Sequence, residues 1–124
     1  MTTDDFLEHV TRVRARFAAA LAGKIATSFA DLQAIADGGG DAVELVITVH
    51  RRLHEICGLA PTLDFPRTGS AAGLARTAIR EAAKAKRPAT PEEAAALRSA
   101  LEVLRTDAAA ELQAYSEGGK ADAS

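Results

Sequence analysis

One histidine, His54, stands four residues before a glycine in the run Leu53-His54-Glu55-Ile56-Cys57-Gly58-Leu59-Ala60-Pro61-Thr62-Leu63-Asp64-Phe65-Pro66. Imidazole is partly unprotonated near neutral pH, so it can serve as a nucleophile or as a metal ligand. Four residues make about one helical turn, and glycine inside a helix costs about 1 kcal/mol relative to alanine. The chain is rich in alanine, so a missing side chain beside His54 reads as room for something large to reach the ring. His50 lies one turn earlier and the single cysteine, Cys57, three residues later. These three share one sector of about 100° on a helix, which a transition metal can use only with a fourth ligand nearby. No fourth ligand is near, since His9 is the only other histidine, and no metal site is expected.

Laid out at about 100° per residue, the helix carrying His54 has a core stripe of Ala42, Val46, Val49, Leu53, Ile56 and Ala60. Arg51, Glu44, Glu55 and Thr48 fall on the other side and should be solvated. His54 lies on the border and His50 about 40° nearer the core, so His54 is the better candidate for chemistry. Val43 and Ile47 lie within about 20° of the His54 direction and Gly58 about 40° from it. Apolar groups around a reactive polar one suit a docking surface that excludes water. Val43, Ile47, His50 and Gly58 are the expected partner-docking residues; packing of Val43 and Ile47 under the end of a neighbouring helix is the alternative.

Four helices are expected to hold this face. Phe6, Val10, Val13, Phe17, Leu21, Ile25, Phe29, Leu32 and Ile35 make one stripe over about three dozen residues. Thr2 or Thr3 can cap its start and Gly38-Gly39-Gly40 ends it, with a bend possible at Gly23. Asp41 opens the second helix in an Asp-x-x-Glu capping box with Glu44, and Pro61 should end it near Ala60. Asp64-Phe65-Pro66 begins a third, whose inward residues Ala71, Ala72, Ala75, Ala78, Ile79 and Ala82 are small enough for close approach; Lys86-Arg87-Pro88 closes it. Thr90-Pro91-Glu92-Glu93 is a capping box opening the fourth, with Leu97, Leu101, Leu104, Ala108, Leu112 and Tyr115 as its stripe. Short connections between amphipathic helices predict an all-α protein, an antiparallel up-down four-helix bundle with a long first helix. One domain over 1–116 and a flexible tail over 117–124 are expected.

Composition excludes several classes. Aromatic residues are 4% of the chain, tryptophan is absent, and alanine and leucine dominate the apolar content, which favours close-packed helices over sheets. A net charge of -2 and a pI near 5.9 give no electrostatic reason to expect nucleic acid or an anionic membrane as partner. A single cysteine permits no internal disulfide, no apolar run approaches the ~18 residues of a membrane span, and the start is acidic rather than signal-like. A cytoplasmic monomer is expected.

The His54 stretch resembles the histidine-containing phosphotransfer (HPt) domain. His54, Gly58, Ala60, Thr62, Phe65 and Pro66 match that family's pattern at consistent spacing, and the helix order agrees over about 110 residues. The chain departs from it at Cys57, where the family often has lysine, at Leu59, which replaces a small residue, and at Asp64, which replaces a glycine. The resemblance implies that His54 is a phosphoacceptor and the protein a stoichiometric carrier rather than an enzyme. It implies partners too: response-regulator receiver domains and a hybrid histidine kinase, with magnesium on the receiver. Arg51, about 60° from His54 on the preceding turn, is the first choice for basic support. The family's polar residue on the facing helix corresponds to Arg76, which is either a fork for a phosphoryl oxygen or a surface arginine.

Without a Gly-rich phosphate loop or a carboxylate cluster for magnesium, the chain is expected to bind no nucleotide or cofactor. Two other readings stand beside this one. His54-Glu55 is similar to the phosphoacceptor helix of a histidine-kinase dimerisation hairpin, although Pro61 falls later than that motif expects. A non-catalytic helical adaptor, with His54 an ordinary boundary residue, is the other.

Overall fold

The structure, a computed structural model, describes residues 2–123. Four helices account for nearly all of it: α1 (Thr3–Asp37), α2 (Ala42–Thr62), α3 (Pro66–Ala85) and α4 (Pro91–Ala123). Each packs on its chain neighbour and α4 returns to α1, closing a four-helix bundle in which α3 has the largest shared faces. The predicted stripes make its core, except at the start of α1 where Phe6 is exposed: Leu21 and Leu32 from α1, Val46, Val49, Leu53 and Ile56 from α2, Ile79 from α3, and Leu97, Leu101 and Leu104 from α4 are all buried. Among the described residues no helix is long and apolar enough to cross a membrane.

The termini show where local signals held. Thr2 caps α1, its hydroxyl accepting from Asp5 N–H while Asp5 accepts from Thr2 N–H, and Gly38 ends the helix at φ 73°. α1 passes through Gly23 as one uninterrupted helix. Thr90 and Glu93 form the expected capping box, and Arg87 adds two bonds to the same carboxylate at 2.8 and 3.1 Å. That guanidinium, helped by the Thr90 backbone, lowers the Glu93 pKa from 4.5 to about 2.

Two expectations need correction. The Asp41-Glu44 box does not form: Asp41 sits at φ -94°, ψ 6°, outside the extended geometry a capping side chain needs, and makes no capping bond. α2 runs past Pro61 to Thr62, because the backbone supplies a complete C-terminal closure beyond the proline. Phe65 N–H donates to Ala60 O at 2.8 Å and Asp64 N–H to Pro61 O at 3.3 Å, with Asp64 left-handed at φ 70°. This Schellman arrangement supplies the orphan carbonyls with donors despite the missing proline N–H. The residues of the α4 helix run to Ala123, and Ser124, the last residue of the expected tail, lies outside the described residues.

The α2–α3 turn is anchored from two sides. Phe65 is fully buried between Phe17 and Tyr115, with ring centroids 5.3 and 5.8 Å away. Arg14 donates to Leu63 O at 2.9 Å and lies 4.7 Å over the Tyr115 ring. The start of α3 is capped from α4: Glu111 accepts from the N–H and hydroxyl of Thr68 at 2.7 and 2.8 Å, and from Arg67 N–H. Phe65 supplies no capping side chain, so a carboxylate from another helix takes that role at the positive end of α3.

Candidate functional site

The site grows out of the seam between α2 and α3. At Gly69 a β-carbon would stand 2.8 Å from Cδ and Cγ of Pro61, and at Gly73 one would stand 3.3 Å from Cys57 Sγ. Two glycines one turn apart therefore face a cysteine and a proline one turn apart, and the backbones close together. One turn on, the pairing changes from glycine against a small side chain to arginine against histidine. Arg76 Nη1 lies 2.8 Å from His54 Nδ1. The next residues along the same lines are Arg80 on α3 and His50 on α2.

A guanidinium has donors only, so this contact makes Nδ1 the acceptor. In the neutral ring the proton then sits on Nε2, the nitrogen for which the described residues provide no hydrogen bond. His54 is exposed and Arg76 half-buried, with its Nε enclosed and lacking a partner among the described residues. His50 is half-buried; burial holds its pKa below the ordinary 6.5, and positive charge at Arg76, His54 and Arg80 pushes the same way. Beside His54 there is open space, because a β-carbon added at Gly58 would meet nothing within 4 Å.

Of the residues expected to form this face, His54, Gly58, Arg76 and His50 come together. Arg51 is exposed and, among the described residues, bonds to nothing. Its neighbour Arg52 is committed elsewhere, to Asp31 at 3.0 Å and Ser28 at 3.1 Å on α1. Val43 and Ile47 are both half-buried, in line with His50 and His54 along α2, so the apolar part of the face is shallower than a fully exposed patch. Cys57 is half-buried against Gly73 at the edge of the core. Among the described residues no group of three or more His, Cys, Asp or Glu side chains is placed to hold a metal ion.

Sequence reasoning did not single out Gly69 and Gly73, although they let Arg76 reach the ring. The signal was there: glycines at i and i+4 opposite Cys57-x-x-x-Pro61. No family model matches the chain, and no curated protein or solved structure matches it.

Proposed function

We propose that this protein is a phosphohistidine carrier of the HPt type, relaying a phosphoryl group between the aspartates of response-regulator receiver domains. A hybrid histidine kinase would feed the relay, and the receiver would bring the magnesium. The observation that carries this reading is the exposed His54 ring, tethered at Nδ1 by Arg76 and flanked by the open space over Gly58. In the transfer the ring carries its proton on Nδ1, the Nε2 lone pair attacks phosphorus, the bond from phosphorus to the aspartyl oxygen breaks, and the Nδ1 proton then passes to solvent. The electron pair returns to the carboxylate. Phosphoryl transfer asks mainly for positioning and charge neutralisation, and Arg76 on the facing helix, with Arg80 beside His50, keeps this face positively charged even when Arg76 is off Nδ1.

The test is to incubate the protein with receiver domains charged by acetyl phosphate and to follow acid-labile label on the chain. His54→Gln should abolish labelling and leave the helix content unchanged. Label that survives His54→Gln and disappears in His50→Gln would move the acceptor one turn back. If no receiver labels the parent, the helical adaptor becomes the better reading.

A further inference from the structure

Because arginine can only donate, its contact with Nδ1 sets where protons sit on His54. Building on the carrier reading above, we propose that Arg76 is a latch that keeps phosphorylated His54 in its slow-releasing form by holding Nδ1 bare. A phosphoryl group on Nε2 leaves easily when Nδ1 is protonated. Water attacks phosphorus, the bond from phosphorus to Nε2 breaks, its electron pair stays on Nε2, and the ring departs as neutral imidazole. With Nδ1 bare the same cleavage must expel an imidazolate anion, a far poorer leaving group. A permanently charged donor 2.8 Å from Nδ1 opposes the protonated ring through both the hydrogen bond and charge repulsion.

The same geometry opposes loading. Nucleophilic Nε2 needs its lone pair, so a neutral ring must carry its proton on Nδ1, where it meets the guanidinium. Arg76 therefore swings off the ring during transfer and returns once the Nδ1 proton has passed to solvent. Its release is cheap, since Nε has no partner to hold the side chain in place. The charged or titratable groups next along the seam are Arg80 on α3 and His50 on α2, while Arg51 and Glu55 are exposed neighbours of His54 along the chain. On α1, Asp31 is occupied by Arg52, and α4 does not pack against α2. Among the described residues Arg76 is the only side chain that bonds to Nδ1, and no carboxylate does.

Potassium phosphoramidate phosphorylates histidine without a kinase or receiver, so the full chain can be loaded directly and the modified residue assigned by mass spectrometry. In Arg76→Ala the phosphohistidine at pH 7 should decay about tenfold faster, the ratio expected from losing one charged hydrogen bond. The acid limb of its rate profile should also move to higher pH. Arg76→Lys keeps a donor and should restore most of the lifetime. In the unphosphorylated chain, ¹⁵N NMR of His54 should show the Nε2–H tautomer, giving way to a mixture in Arg76→Ala. Equal decay with an unshifted profile in Arg76→Ala, or an Nδ1–H ring in the parent, overturns the latch. A loaded chain that receiver domains fail to discharge would instead count against the relay, leaving decay rates and tautomer to decide the latch.

Discussion

Along α2 and α3 the backbones close until Gly69 has no room for a β-carbon. Across the bundle, α1 and α4 leave a groove of about 390 Å³, lined by Ile25, Ala26, Phe29 and Leu112 with Arg105 4.7 Å over the Phe29 ring. The larger hollow lacks convergent polar groups, whereas the tight seam carries the histidine and the side chain that holds it. A long arginine can fix an imidazole on another helix only if the two helices are themselves fixed. In this bundle the volume and the chemistry lie on different seams.

The sharpest way to break this comparison is at the open end of the tight seam. Gly58→Gln should slow transfer from a receiver about a hundredfold, since it fills the approach to the ring. Its urea midpoint should match or exceed the parent's, because the position is open and any other residue is a better helix former. Transfer at the parental rate would show that the space beside His54 is idle.

Adding atoms to the two seams should have opposite consequences. Gly69→Ala should destabilise by about 1–3 kcal/mol, as overpacking against Pro61 forces the helices apart. Ala26→Leu, which adds more atoms to the α1–α4 groove, should stay within about 0.5 kcal/mol of the parent or gain stability. Chemical denaturation of the pair measures both, and equal losses would mean the seams are packed alike.

Where the tight seam turns back on itself, Asp64 holds a left-handed conformation that favours glycine. Asp64→Gly should therefore stabilise by up to about 1 kcal/mol. The Arg14 contact it removes spans 3.5 Å to a largely exposed carboxylate and offsets little of that gain. A lower thermal midpoint would mean that the carboxylate matters more than the backbone strain.

The smallest effect is electrostatic. The folded-state pKa of His50 lies below 6.5, so between the two values the unfolded chain binds a proton that the folded chain refuses. The His50 contribution is therefore fully present above pH 6.5 and lost as pH falls below it, until both states are protonated. His50→Gln should flatten this part of the stability profile between pH 7.5 and about 5. An unchanged slope would show that the seam does not oppose charge at His50.

The helices were legible because their apolar residues recur at the helical period, and His54 with Gly58 stood out against an alanine-rich background. Arg76 was reached through the family resemblance, since no periodicity on α3 says which residue of α2 it will meet. Pro61 misled because the rule for proline concerns the preceding residue, whereas the bonds that extend α2 come from Asp64 and Phe65 beyond it. Glu111 was invisible for a different reason: a cap normally lies within a few residues of the helix it closes, and this one comes from another helix 43 residues later.

That last contact has a consequence for the order in which the chain can be completed during synthesis. The ribosome makes the first turn of α3 more than forty residues before Glu111, so that turn starts with its amide donors uncapped. The histidine-bearing helix and its partner can meet early, yet their common turn is secured only when α4 has cleared the exit tunnel. A chain cut short before residue 111 would keep every residue of the His54 face and lack the carboxylate that closes the beginning of α3.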